Sequence, residues 1–164
     1  MVENDEELHY LKNKWIMWSH LPGDSDWSLN SYKIITTFNT VESILTLYEN
    51  LPEHIIKYSM LFIMKEGIAP MWEDKHNCDG GCFSYKINNK IVTQIWKDLS
   101  YLVMGETLSE ADYFNNNING ITISPKKNFC IIKIWISNCE NTDLNIIKNI
   151  SGLLPNSGIF KKHI

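Results

Sequence analysis

The segment Phe129-Cys130-Ile131-Ile132-Lys133-Ile134-Trp135-Ile136 is the clearest indication of the fold class, because its two alternating faces differ in chemistry. The even-numbered positions are all apolar, whereas the odd-numbered positions include a lysine and a tryptophan. Side chains point alternately to the two faces of a β-strand. The pattern therefore predicts a strand of an antiparallel sheet that has one face buried under helices and the other face available to a ligand.

The segment before this strand, Ile118–Ser124, has the same alternation and is predicted to form a hairpin with Phe129–Ser137 across Pro125–Asn128. Its isoleucines alternate with Thr122 and Ser124, so the polar residues of both strands share one face. Further segments rich in β-branched and aromatic residues are predicted strands: Lys14–His20, Tyr32–Phe38, Ser59–Met64 and Cys82–Ile87.

Three segments carry apolar residues at helical spacing: Val41–Asn50 with Thr40 as its N-cap, Val92–Met104 and Asp143–Leu153. The predicted strands follow one another in hairpins and do not alternate regularly with helices. We therefore predict the α+β class, with an antiparallel sheet and helices on one side of it.

The composition is that of a globular chain of one domain's length, with 164 residues of which 44% are hydrophobic. The net charge of −4 excludes a basic surface that grips duplex nucleic acid without regard to sequence. All fifteen basic residues are lysines, so no guanidinium fork is available for phosphate or carboxylate. We predict an acidic disordered tail at residues 1–8 and a single domain at residues 9–164.

Nothing in the sequence resembles an export signal or a membrane span, since the N-terminal residues are acidic and no apolar run approaches about 18 residues. The four cysteines form no paired framework and are interpreted as reduced thiols. His76, Cys78 and Cys82 have the spacing of metal ligands, but a closed zinc site needs a second pair. The chain is interpreted as a cytoplasmic monomer without metal or cofactor.

Three tryptophans stand where a core would not require them. Trp27 lies in a polar loop, Trp72 lies in a second loop marked by proline, and Trp135 is on the mixed face of the last hairpin. A lone loop tryptophan often covers the edge of a core. Aromatic plates also suit a flat ligand, because base–aromatic stacking is worth about 1–3 kcal/mol per base. Glu73, next to Trp72, can accept hydrogen bonds from the N–H donors of a guanine edge.

Lysines are the candidate partners of a phosphate chain attached to such a base. Lys126 and Lys133 share the mixed face of the hairpin and act as point charges. Lys161 and Lys162 either reach the phosphates or are solvated, and the second interpretation is preferred. His20 and His163 have no partner that the sequence reveals and are expected to be solvated or structural.

Motifs along most of the chain agree in order and spacing with one known family. They are His9-Tyr10-Leu11, Trp15, Trp18, Phe38-Asn39-Thr40-Val41-Glu42, Leu47-Tyr48, Gly67-Ile68-Ala69-Pro70-Met71-Trp72-Glu73-Asp74, Gly80-Gly81, Trp96, Gly105-Glu106, Ile134-Trp135 and Cys139-Glu140-Asn141. By these motifs, of which Pro70–Asp74 is the most specific, the chain resembles the eukaryotic translation initiation factor 4E family from His9 to about Pro155.

The resemblance implies a curved antiparallel sheet with a concave ligand face and three helices on the convex face. It implies binding of the 7-methylguanosine cap of mRNA, without catalysis. By resemblance, Trp27 and Trp72 sandwich the methylated guanine, Glu73 and the Trp72 backbone N–H bond its edge, and Trp135 touches the methyl group.

The phosphate positions depart from the family pattern. Lys126 stands where the family has an arginine, and Ile131 stands where it has a second lysine. Lys133 is two residues further along the strand and therefore on the same face, so we expect it to take over this contact. Lys127 is an additional candidate, and Cys82 replaces a further basic position near the mouth of the site.

The convex face departs further from the pattern of family members that bind initiation factor 4G and repressor peptides. The positions concerned are Tyr10, Val41, Leu45, Lys97 and Asp98. Val41 is retained and Asp98 keeps an acidic character, but the anchor tryptophan is replaced by Leu45, which removes an expected interface hot spot. A different or specialised partner is plausible on this face.

Three other functions are weighed against a cap-binding initiation factor. The first is a cap-binding repressor that does not recruit factor 4G, which the altered convex face favours. The second is an interaction scaffold that has lost cap binding, against which the joint presence of Trp27, Trp72, Glu73 and Trp135 argues. The third is a nucleotide hydrolase, which would need a carboxylate cluster for Mg²⁺ that the sequence does not reveal.

Overall fold

The computed structural model describes residues 7–164 and contains one curved antiparallel sheet in the order β2-β1-β3-β5-β6-β4-β7. The strands are β1 (Tyr10–His20), β2 (Lys33–Thr40), β3 (Met60–Lys65), β4 (Gly81–Asn88), β5 (Ile118–Pro125), β6 (Phe129–Ile136) and β7 (Gly158–Lys162). The helices are α1 (Val41–Asn50), α2 (Glu53–Tyr58), α3 (Val92–Met104) and α4 (Asp112–Asn117). The predicted α+β class is confirmed. Most of the predicted tail, residues 1–8, lies outside the described residues.

The two faces of the sheet differ as the alternation in β6 predicted. Its even-numbered side chains all lie in the main core, which the helices cover. Trp15 of β1, Phe38 of β2 and Trp96 of α3 are also completely buried in this core. A smaller cluster covers the opposite face and includes Tyr32, Phe62, Met64, Cys82 and Trp135. A ligand site on that face therefore rests on a packed apolar floor.

Helices α1 and α3 have the bounds that the apolar spacing predicted. The Thr40 hydroxyl accepts a hydrogen bond from the backbone N–H of Ser43 at 3.1 Å, which caps the start of α1. The Tyr48 hydroxyl donates to the hydroxyl of Ser100 at 2.7 Å and so joins α1 to α3 within the core. None of the helices within residues 7–164 is long and apolar enough to cross a membrane.

The prediction of a helix at Asp143–Leu153 is wrong. Only a short 3₁₀ turn forms at Leu144–Ile146, and the Lys148 backbone N–H donates to the carbonyl of Leu108 at 2.9 Å, outside the segment. Gly152 has a φ of +87°, which a helix cannot include. Ile147, Ile150 and Leu153 are nevertheless buried in the main core, so the apolar spacing indicated burial but not conformation.

The last strand, β7, was not predicted. It pairs with β4 at the edge of the sheet, with Lys161 opposite Cys82 and Ile159 opposite Ser84. It thereby brings the end of the chain beside the ligand face. The short helices α2 and α4 were also missed, since one turn and a half carries too little periodicity to be recognised.

Candidate ligand-binding site

A slot of about 260 Å³ opens on the face of the sheet that the helices leave uncovered. Trp27 and Trp72 line it and are half-exposed, at 50% and 46%. Glu73 and the largely buried Trp135 line the same slot. The structure thus brings together, from two loops and one strand, the four residues that the sequence predicted to bind a base.

Trp27 is held by a stacked histidine. The ring of His20 stacks on that of Trp27 with 4.0 Å between centroids and 2° between planes. His20 is buried, and its Nε2 lies 2.7 Å from the backbone carbonyl of Asp26. Because a carbonyl only accepts, Nε2 carries the proton and donates it. His20 is therefore structural, which is one of the two roles expected of it: it joins the Trp27 ring to the backbone of the same loop.

The loop that carries Trp72 and Glu73 is organised by the carboxylate of Asp74. This carboxylate accepts hydrogen bonds from the backbone N–H groups of Ala69 and His76 at 2.9 and 2.8 Å, and from the His76 ring at 2.9 Å. Burial alone would raise the pKa of Asp74, but these hydrogen bonds outweigh it and lower the pKa below its ordinary value. The charged carboxylate is therefore the form that holds the loop.

Asn77 ties the same loop to the sheet. Its side chain is completely buried and donates to the carbonyls of Ala69 and Met71 at 3.1 and 2.8 Å. It accepts a hydrogen bond from Asn119 of β5 at 2.9 Å, and Asn119 also donates to the carbonyl of His76. The backbone on both sides of Trp72 and Glu73 is thus anchored to a central strand.

Three polar groups of the slot have a defined hydrogen-bonding state. Burial, with the nearby Glu73 carboxylate as a second cause, raises the pKa of Tyr32, so its hydroxyl is neutral at physiological pH. The Trp135 ring N–H donates to the Thr122 hydroxyl at 3.3 Å, which fixes the indole on the slot floor. The backbone N–H of Trp72 has no acceptor among residues 7–164 and is available to a ligand.

The three predicted phosphate lysines differ in whether they line a cavity. Lys133 is exposed and lines the slot, as its strand parity predicted. Lys126 and Lys127 are exposed in the turn beyond β5 and line neither the slot nor the cavity beside it. Of the three, Lys133 alone lines either cavity.

A second cavity, of about 330 Å³, adjoins the slot and shares Trp72, Lys133 and Trp135 with it. Its other walls include Ser84 of β4 and Lys161 of β7.

His163 closes one side of this second cavity. Its Nδ1 donates to the Asn77 carbonyl at 2.8 Å, and its Nε2 lies 3.0 Å from the Cys82 thiol. Burial raises the pKa of Cys82 to about 12, so the thiol is protonated and donates to the ring. His163 is therefore structural, which is one of the two roles expected of it. Within residues 7–164, no group of three or more His, Cys, Asp or Glu side chains is placed to hold a metal ion.

The helix-covered side carries a separate apolar depression of about 270 Å³. Val41 and Leu45 of α1 line it together with Leu11 and Tyr101, and both are partly exposed. The other three predicted partner residues do not line it. Tyr10 is 72% exposed, Lys97 lies 5.8 Å from the centre of the Tyr48 ring, and Asp98 accepts a hydrogen bond from Gln94.

Sequence reasoning missed the residues that support the tryptophans. His20 has the same strand parity as Trp18, whose ring packs with the apolar cluster on the slot side, so its face was available from the sequence although its partner was not. Asn77 and Asn119 are 42 positions apart, and no local pattern relates them.

Comparison with known proteins places these features in a family. The model of the eukaryotic initiation factor 4E family matches residues 10–162. Eukaryotic translation initiation factor 4E of Candida albicans is 28% identical over 149 residues, covering 85% of this chain and 69% of that protein. The Arabidopsis thaliana initiation factor NCBP is 31% identical over 138 residues, covering 81% of this chain and 61% of that protein.

Solved structures agree with this assignment. The C. elegans protein eIF4E-3, solved with the 4E-binding protein Mextli and a cap analog, has a TM-score of 0.73 and 25% identity. The similarity covers 85% of this chain and 80% of that one. The chain therefore belongs to the eukaryotic initiation factor 4E family.

Proposed function

We propose that the slot binds the 7-methylguanosine cap of mRNA, and that the protein acts in translation initiation through this binding. The observation that carries the proposal is the lining of the slot by two half-exposed tryptophans, one carboxylate and a third tryptophan on the floor. Membership of the initiation factor 4E family and the likeness to a cap-bound C. elegans relative support it.

Stacking between Trp27 and Trp72 supplies most of the recognition in this proposal. Each base–aromatic contact is worth about 1–3 kcal/mol, and methylation at N7 makes the guanine cationic, which adds attraction to the electron-rich ring faces. The preformed stack of His20 on Trp27 lowers the conformational cost of binding, because that ring is already oriented.

Polar groups select guanine in the proposed complex. The Glu73 carboxylate accepts from the two N–H donors on the base edge, and the free backbone N–H of Trp72 donates to the guanine carbonyl. Trp135 lies against the N7 methyl group. A base without these donors would leave the Glu73 charge unpaired, which costs affinity.

Phosphate binding in the proposal begins at Lys133, which lines the slot. Lys126 and Lys127 are assigned a smaller share, through longer-range attraction that salt screens. Each of these lysines acts as a point charge and not as a bidentate clamp.

Retention on a resin carrying 7-methyl-GTP tests the assignment of the base-binding residues. We expect the wild-type protein to be retained and to be eluted by free 7-methyl-GTP, but not by GTP at the same concentration. Trp72→Ala and Glu73→Gln should lower the affinity by about tenfold or more, whereas Glu140→Gln, an exposed carboxylate outside the slot, should have no effect. Equal retention of all the variants would refute the assignment.

We propose that the protein binds the cap without hydrolysing it. A capped dinucleotide incubated with the protein and Mg²⁺ should be recovered unchanged by chromatography. Release of a nucleoside monophosphate or diphosphate in proportion to protein concentration would contradict it and favour a hydrolase.

A second function, partner binding, is proposed for the apolar depression that Val41 and Leu45 line. An apolar peptide helix fits such a groove on its i, i+3 and i+4 positions, as is common for helix-in-groove recognition. Tyr10, Lys97 and Asp98 would surround it as a rim. We expect a factor 4G-like or repressor peptide to bind this groove weakly, because Leu45 offers less aromatic surface than an anchor tryptophan.

A titration with a 4G-type peptide distinguishes an initiation factor, which binds this peptide, from a repressor, which does not. Binding of a 4G-type peptide that is lost in Leu45→Asp, with cap binding retained, supports recruitment. Cap binding without any 4G-type peptide binding would favour the repressor.

A further inference from the structure

The second cavity, next to the slot, is lined by lysines that form no ion pair with the described residues. Lys133, Lys161 and Lys162 line it, and no carboxylate of residues 7–164 lies within 4.0 Å of their ammonium groups. The Ser84 hydroxyl in its wall makes no hydrogen bond to another residue of this range and can donate to a ligand. Groups of this kind bind an anion.

Strand register puts two of the lysines on the face that carries Trp135. Lys133 is opposite Ser84, and Trp135 is opposite Cys82, in the pairing of β6 with β4. Cys82 is in turn opposite Lys161 in the pairing of β4 with β7. Directly opposed residues point to the same face of a sheet. Lys161 and Lys133 therefore flank Trp135 from two directions on the slot face.

The spacing suits a ligand that lies between these two lysines. Neighbouring strands are about 4.8 Å apart and alternate residues about 7 Å apart along a strand, so both ammonium groups reach a common point near Cys82 and Trp135. Cys82 itself brings no charge there, because its thiol is protonated and bonded to His163. Lys161, which is opposite Cys82 on the last strand, supplies a positive charge at this place.

We propose that the phosphate chain of the bound nucleotide leaves the slot over Trp135 and enters the second cavity, where Lys161 binds it together with Lys133 and Ser84. This inference rests on the proposed function of the slot, and it makes β7 a part of the ligand site. It replaces the interpretation of Lys161 as a solvated residue. It also gives Lys126 and Lys127, which line neither cavity, less weight than Lys161.

Titrations with 7-methylguanosine, its 5′-monophosphate and 7-methyl-GTP test this inference at low and high salt. We expect the wild-type affinity to rise with each added phosphate, and Lys161→Ala to weaken 7-methyl-GTP binding about tenfold while the nucleoside is unaffected. Lys133→Ala should likewise weaken 7-methyl-GTP binding and leave binding of the nucleoside unaffected. Lys90→Ala, an exposed lysine outside both cavities, is the matched control.

The outcomes separate this inference from the proposed function. If the nucleoside binds but Lys161→Ala leaves 7-methyl-GTP binding unchanged, or if Lys126→Ala loses as much, the phosphate path is wrong and the slot assignment stands. If Lys161→Ala weakens the nucleoside equally, the residue is structural and the inference fails. If the wild-type protein binds none of the three ligands, the proposed function fails and the phosphate path fails with it.

Discussion

Asn77→Ala tests whether the buried amide network holds the ligand loop in place. The substitution removes two donated hydrogen bonds, to the carbonyls of Ala69 and Met71, and one accepted from Asn119. Each such bond contributes about 1 kcal/mol net, so the free energy of unfolding should fall by about 3 kcal/mol. For a chain of this length that corresponds to a decrease of about 6–12 °C in the melting temperature.

Urea denaturation followed by circular dichroism measures this change, and a cap titration well below the midpoint measures its effect on the slot. We expect cap affinity to fall as well, because the backbone beside Trp72 and Glu73 loses its anchor. Asn128→Ala, an exposed amide in the turn before β6, should stay within about 0.5 kcal/mol of the wild-type protein. A loss below about 1 kcal/mol in Asn77→Ala, with cap affinity intact, would refute the reasoning.

Three other substitutions test separate contacts. His20→Ala should weaken cap binding about threefold to tenfold, because the Trp27 ring loses its stacking partner, whereas His20→Phe retains an aromatic partner and should keep most of the wild-type affinity. An equal loss of cap affinity in both variants would contradict the role of the stack. Because the pKa of Asp74 is lowered in the folded state, its charged carboxylate stabilises the fold at pH values above the unfolded-state pKa of about 4, and this stabilisation is lost as the pH falls through the folded-state pKa. The difference in unfolding free energy between wild type and Asp74→Asn should therefore shrink in acid, and a difference that is constant from pH 7 to pH 3 would contradict this pH dependence. Gly120→Ala should destabilise the fold by about 2 kcal/mol or more, since its Cβ would lie 2.3 Å from the Ile63 carbonyl oxygen, and a thermal melt unchanged by the substitution would disprove the clash.

The sequence predicted the central strands and the two long helices because local and tertiary preferences agree there. In β6 the alternation of isoleucine with lysine and tryptophan matches the buried and open faces of the sheet. In α3 the apolar spacing matches one buried helix face, including Ile95 and Leu99. Burial and conformation follow from the same pattern in such elements.

Prediction failed where distant contacts determine the backbone. Asp143–Leu153 has helical spacing, but Lys148 donates to Leu108 and Gly152 takes a positive φ, so tertiary contacts override the local pattern. Strand β7 is short and has no clear alternation, and it forms because β4 offers an unpaired edge.

The sequence indicated the residues that line the slot better than the residues that support them. Trp27 and Trp72 line the slot and have unusual positions in the sequence, since tryptophans in polar loops need an explanation. Asn77 bonds to Asn119, 42 positions away, and His163 bonds to Asn77, 86 positions away, and a single sequence does not reveal such pairs. Lys161 was set aside for the same reason, because its place depends on a strand pairing that no motif announced.

The measurement that tests the central claim most directly is quenching of the intrinsic tryptophan fluorescence by 7-methyl-GTP and, separately, by GTP. Two half-exposed indoles line the slot, so a base stacked on them should change the emission. We expect a Kd of about micromolar or tighter for the methylated nucleotide, which is about 8 kcal/mol of binding free energy, and at least about tenfold weaker binding of GTP. Equal quenching by both nucleotides, or none up to millimolar concentration, would contradict it.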